Sequence, residues 1–64
     1  MISSERIREH IKKSSFEMKD IAVILDVSER NLYYKLRNDG LTIQEINVLL
    51  RVLNLKLSDI EGEN

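Results

Sequence analysis

The chain has no cysteine, no proline and no tryptophan, and among its 64 residues glycine occurs only at positions 40 and 62. Without cysteine there is neither a disulfide framework nor a thiolate zinc site, which suits a reducing cytoplasm and leaves stability to an aliphatic core. A chain of this length buries only about 60% of its unfolded surface, so most of its Ile, Leu and Val side chains are needed inside. Long apolar runs are missing too. The longest, Ile21 to Leu25, falls far short of the roughly 20 residues that span a bilayer, and Met1 opens onto a polar segment rather than a signal peptide. The expectation is a soluble cytoplasmic protein of one domain, residues 1–64, with no membrane partner. Met1 and the polar "EGEN" end suit a complete chain.

No charge of one sign dominates either. Lys and Arg number 10 against 11 Asp and Glu, which argues against indiscriminate attachment to nucleic acid, where a basic excess is the usual footprint. The distribution is more telling than the sum. Residues 1–40 carry eight cations against seven acids, whereas residues 41–64 carry two against four, with Asp59, Glu61 and Glu63 all near the end. A polyanion would meet the first part of the chain.

Apolar residues recur at helical spacing along nearly the whole length, and the fold class read from them is all-α. Ser3 or Ser4 caps a first helix with Ile7 and Ile11 inward and Arg6, Arg8, Lys12 and Lys13 over its remaining surface, fading at Ser14 and Ser15. Phe16 and Ile21 have the spacing of a hydrophobic staple around a cap at Glu17, opening a short second helix that buries Ile21, Ala22, Ile24 and Leu25 and stops at Asp26. Ser28 caps a third helix with Leu32 and Leu36 inward, which ends at "NDG", where Gly40 is expected to turn left-handed. "TIQE", Thr42 to Glu45, is a capping box for a fourth helix with Ile46, Leu49, Leu50 and Leu53 on its core stripe. Leu55, Leu57 and Ile60 then pack a short final turn, so that the fourth helix and this turn occupy about 42–60.

The second and third helices, "MKDIAVILDVSERNLYYKL" over residues 18–36, are joined by a turn too short to let them run antiparallel. They must cross steeply, and small Ala22 sits where they approach closest, with Val27 and Leu32 plugging the corner. This spacing of Ala22, Asp26, Val27 and Leu32 resembles the DNA-binding helix-turn-helix, placed at about 17–37. The layout around it resembles the phage Cro and repressor-like (XRE-type) family, a four-to-five-helix lambda-repressor-like domain, and the resemblance covers about Ile7 to Ile60. "VSERNLYYKL" followed by Thr42, Glu45 and Ile46 is similar to the recognition helix, loop and next helix start of small Cro-like regulators. Two positions depart from the pattern. Asp26 stands where the family usually has glycine, and Met18 where it often has a glutamine that touches a DNA phosphate. Lys19 and the free amides of the helix N-terminus would have to supply that contact.

With 100° per residue and Leu32 and Leu36 as the buried stripe, Tyr34 lies opposite the core, flanked by Arg30 and Arg37 on one side and Asn31 and Asn38 on the other. The resemblance implies that bases are read from the first half of this helix, at Glu29, Arg30 and Tyr34 with Ser28 nearby. Arg30 can give two parallel hydrogen bonds to guanine, Glu29 can accept from cytosine N4, and Asn31 can pair with adenine. Lys19, Lys35, Arg37 and Asn38 are the expected phosphate contacts. Tyr33, about 100° from the leucine stripe, is expected to be a partly buried packing residue. The function implied is a phage or prophage regulator that binds operator DNA with residues 29–38 in the major groove and blocks promoter access. With no room for a sensor domain, its regulation would come through concentration, dimerisation, a partner protein or degradation.

Catalysis has no foothold in this composition. The only histidine, His10, lies on a surface helix with no clustered acid at ligand spacing, and Gly40 and Gly62 form no phosphate loop. No enzyme, metal or cofactor is expected. Val48 and Val52, with Leu55 or Leu57, make surplus apolar surface that a weak homodimer would bury, allowing two half-sites to be read about one helical turn apart. A rival reading keeps the fold and drops the DNA. In it the domain is an antirepressor-like interaction module that pairs with another regulator, favoured by the near-neutral charge, by Glu29 at a reading position, by Met18 and by the acidic end.

Overall fold

A computed structural model describes residues 1–62. Four α-helices follow one another, α1 (Ser4–Lys13), α2 (Met18–Leu25), α3 (Glu29–Arg37) and α4 (Ile43–Val52), and a 3-10 turn, Leu57–Ile60, closes the described chain. The domain is all-α and helix-turn-helix-like, and Glu63 of the acidic end lies outside the described residues.

Each helix starts where a side chain can satisfy its first free amides. Ser3, rather than Ser4, caps α1, its Oγ accepting from the Arg6 amide at 3.3 Å. At α2 the Asp20 carboxylate reaches back to accept from the Glu17 amide at 2.9 Å, and Phe16 and Ile21 on either side of that cap both join the core. Ser28 Oγ accepts from the Asn31 amide at 3.0 Å to open α3. Thr42 and Glu45 form the full reciprocal box at α4, with Thr42 Oγ1 accepting at 3.1 Å and Glu45 Oε1 accepting the Thr42 amide at 2.9 Å. All four starts therefore sit within a residue of their expected places.

The helix ends follow one rule that the sequence disguises. α2, α3 and α4 each close with a left-handed residue, and in every case it is Asp or Asn: Asp26 (φ 58°), Asp39 (φ 53°) and Asn54 (φ 57°). The residue after each one bonds back five positions, Val27 N to Ala22 O at 3.0 Å, Gly40 N to Lys35 O at 2.8 Å and Leu55 N to Leu50 O at 2.8 Å. That is the six-to-one bond of a Schellman closure, which satisfies carbonyls the helix leaves open. Gly40, expected to be the left-handed residue, is instead the one that follows it. Burial of Leu36 fixes the last turn of α3, and the motif then demands the left-handed conformation at position 39.

Ile7, Ile11, Ile21, Leu32, Leu49 and Ile60 are all but inaccessible and, with Ala22, Leu36 and Ile46, form one core. α3 packs on α1 and α2, and the closing turn packs on α1. Two expected core positions are not core. Ile24 is 39% exposed and Leu57 is 49% exposed, because α2 is only eight residues long and turns a single narrow face inward, while the tight closing turn points Ile60 inward instead of Leu57. Leu50 and Leu53 are half-buried against the core rather than central to it. His10 Nε2 lies 3.3 Å from the Asp59 carbonyl and ties α1 to the closing turn.

The chain ends meet, which the helical pattern does not foretell. Ile2 and Glu61 form an antiparallel bridge, with Ser3 N donating to Ile60 O and Gly62 N to Met1 O, both at 2.7 Å. A Cβ on Gly62 would stand 3.0 Å from Ser3 Cβ, so this close approach favours glycine.

Relieving the left-handed penalty at position 39 should stabilise the domain. Asp39→Gly is expected to gain up to about 1 kcal/mol, which raises the melting temperature by roughly 4–8 °C in a domain of this size. Gly40→Ala should leave it nearly unchanged, since the added Cβ comes no nearer than 3.5 Å to Lys35 Cα. Thermal melts in which Gly40→Ala is the costly change would contradict this closure.

Candidate nucleic-acid interface

The corner between α2 and α3 aims the candidate site. Ala22 is buried at the crossing, Val27 is half-buried against the core, and Asp26 makes the left-handed turn that leaves only three residues between α2 and α3. A side chain larger than Ala at position 22 would push the helices apart and re-aim α3.

On α3, Arg30, Asn31, Tyr34, Arg37 and Asn38 are all exposed along the outward side, Ser28 and Glu29 at its start are exposed as well, and Tyr34 reaches 61% exposure opposite the leucine stripe. The outward face read from the sequence is thus brought together on one helix. Two of its members are partly committed to holding that helix. Ser28 Oγ accepts from the Asn31 amide, which leaves its hydroxyl proton free, and Asn38 Nδ2 donates to the Tyr34 carbonyl at 2.9 Å, which leaves its carboxamide oxygen free. Arg30 and Arg37 have no ion-pair partner among the described residues.

Two of the expected phosphate contacts stand differently. Lys35 turns away from the outward face and donates to Glu45 Oε2 at 2.6 Å, joining α3 to the start of α4. Position 35 lies about 60° past the edge of the leucine stripe, where a long side chain can reach the neighbouring helix start as readily as solvent. Lys19 is exposed, but it stands 3.9 Å from Glu17 Oε1, and the start of α2 also carries Asp20. The amides there are therefore screened by two carboxylates, and this helix start is a poorer seat for a phosphate than the sequence pattern implies.

The expected dimer contact is divided. Val52 and Leu55 pack against the core, which removes them from any surplus surface, while Val48 is half-buried outside the core cluster and Leu57 is half-exposed. Other apolar surface has no counterpart among the expected contacts: Val23 on α2 is 79% exposed and Ile43 at the start of α4 is 77% exposed. Helical-wheel position is the signal that could have found Val23, which lies between the inward Ala22 and Leu25 in sequence but on the opposite side of α2. Tyr33, expected to be partly buried, is exposed and borders a cleft between α1 and α3.

The two ion pairs differ in weight. The Lys19 and Glu17 side chains are 68% and 72% exposed, and such a pair contributes little. Lys35 and Glu45 are 25% and 14% exposed, and Glu45 also caps α4. Burial raises the Glu45 carboxyl, but the Lys35 hydrogen bond, the Thr42 amide, the Lys35 charge and the Thr42 side chain together outweigh it and hold the group below its ordinary value. A carboxylate with a depressed folded value contributes stability that is complete above the unfolded value, about pH 4.3, and is lost as pH falls through the lower folded one. Glu45→Gln is therefore expected to cost about 1–2 kcal/mol near neutrality. The cost should shrink on acidification below about pH 4. Denaturation curves at several pH values check this; a cost that stays constant down to pH about 3 would mean the pair does not couple α3 to α4.

No family model matches this chain, and no curated protein or solved structure matches it.

Proposed function

We propose that the protein is a sequence-specific DNA-binding transcriptional regulator of the Cro or repressor type, acting from the cytoplasm on operator DNA. α3 would lie in the major groove. The observation that carries this reading is the exposed, hydrogen-bonding outer face of α3, held rigid by a tight corner and by the Lys35–Glu45 tie to α4. A guanidinium is well matched to the two acceptors of guanine, and Arg30 in the first turn of α3 is where a helix entering the groove meets base edges. Glu29, Asn31, Tyr34 and Ser28 are the neighbouring candidates for bases. Arg37 and Asn38 would grip phosphates and set register. Lys35 holds the helix in place and is dropped from the DNA contacts.

Selection from a randomised duplex pool at about 150 mM salt, which suppresses much of the nonspecific phosphate attraction, tests this directly. A short motif is expected, and Arg30→Ala should flatten one base step of it by roughly 5- to 100-fold in relative affinity, matching about 1–3 kcal/mol for a bidentate pair. An unselective pool, or a motif indifferent to Arg30→Ala, would count against the reading.

Two copies would read two half-sites as a weak homodimer, with Val48 and Leu57 as the contact candidates left free of the core. Gel filtration at rising concentration should show association that Val48→Lys abolishes; a monomer throughout removes the dimer.

The rival interaction-module reading is favoured by Val23, Ile24 and Ile43, apolar side chains on the surface of a small domain. Under it another regulator covers these residues, and Val23→Glu, rather than Arg30→Ala, abolishes activity.

A further inference from the structure

Between the first turn of α1 and the end of α3 lies a cleft of about 810 Å³, within the size range of small-ligand sites. It exists because the chain ends pair: the Ile2–Glu61 bridge holds the segment before α1 alongside α3. Of its lining residues, the reading of α3 as a DNA-facing helix uses only Arg37.

Four charged side chains line it, Glu5 and Arg8 from α1, Arg37 from α3 and Asp39 just beyond. Among the described residues the ion pairs are Lys19–Glu17 and Lys35–Glu45, so these four opposite charges share one cleft without pairing. Ser4 faces the same space. It is the one buried polar residue among the described residues, 7% exposed, and its hydroxyl has no hydrogen-bond partner among them. Among those residues no buried side-chain polar atom is sealed from solvent without a partner, so this hydroxyl opens on the cleft that Ser4 lines. Beside it, the Ser4 and Glu5 amides at the start of α1 are left over once Ser3 has taken the Arg6 and Ile7 amides. The floor is apolar, from Ile2 and Leu36, with the Tyr33 ring at the edge.

Charge decides the ligand class. A simple anion would meet two carboxylates here, and a simple cation two guanidiniums and the Met1 ammonium. A small molecule carrying both signs can set each of its charges against one group of opposite sign. We propose that this cleft binds a zwitterion of the amino-acid class with an apolar side chain. Its carboxylate sits at the start of α1 against the Ser4 hydroxyl and Arg8, its ammonium lies toward Asp39 and the Tyr33 ring, and its side chain rests on Ile2 and Leu36. Arg37 belongs both to this cleft and to the outer face of α3, so an occupant would compete with DNA for it. That consequence rests on the DNA-binding reading, whereas the binding itself does not.

The test is an amide NMR titration of the full chain without DNA, using leucine and phenylalanine, then 3-methylbutylamine and 4-methylpentanoate as the amine and acid halves of leucine, and inorganic phosphate. Leucine or phenylalanine should shift the Ser4, Glu5, Arg8, Leu36 and Asp39 amides, and each half-molecule should bind at least about tenfold more weakly. Arg8→Gln should weaken the amino acid by about tenfold. Ser4→Ala should weaken it while leaving the melting temperature unchanged, because the hydroxyl it removes has no partner among the described residues. Phosphate or 4-methylpentanoate binding as well as the amino acid would reduce the cleft to an anion seat and overturn the proposal. So would cleft amides that no amino acid moves, or binding untouched by Arg8→Gln. Because the titration contains no DNA, occupancy of the cleft is measured even if the chain binds no duplex.

Discussion

Everything on the outer surface of α3 depends on the left-handed turn at Asp26. α2 and α3 are separated by three residues, and only a sharp reversal of backbone direction lets both bury their apolar faces in the same core. An ordinary L-residue in this conformation costs about 1–2 kcal/mol, and Asp costs less because its short polar side chain tolerates it. The closure bond from Val27 to Ala22 and the burial of Ala22, Ile21 and Leu32 hold the turn in place. The surface that results is a by-product of that packing: with Leu32 and Leu36 inward, Tyr34, Arg30 and Arg37 have nowhere to go but out.

The same helix is held at its other end by electrostatics rather than by packing. Lys35 and Glu45 lie ten positions apart, and Glu45 belongs at once to the α4 capping box and to the α3 tie. One carboxylate therefore couples the start of α4 to the orientation of α3. Losing it would affect both, and it keeps Lys35 paired rather than free in this structure.

Much of this is legible in the sequence, because helix starts and buried stripes are local. Ser3, Ser28 and Thr42 announce their helices through short-range hydrogen bonds, and Ile7, Ile11, Leu32, Leu36, Ile46 and Leu49 repeat at the helical period. What is not legible depends on where the chain travels between helices. Gly40 and Asp39 both accept a left-handed backbone, so glycine looks the natural choice, and only the last buried turn of α3 sets which one must adopt it. Lys35 reads as a free cation because its partner lies across a loop. Val52 and Leu55 look like surplus surface, yet the Leu50–Leu55 closure folds them onto the core. The cleft leaves no trace in the pattern, since it forms only when residues 2 and 61, near opposite ends of the chain, come together.

The central claim is that the outer face of α3 meets DNA, and mapping amide shifts on adding a random-sequence duplex at about 50 mM salt tests it without knowledge of an operator, because nonspecific phosphate attraction suffices there. The account predicts shifts concentrated on Ser28 to Asn38, with α4 little affected beyond its first turn. Shifts confined to the Val23 or Ile43 surface, or no change at all, would contradict it.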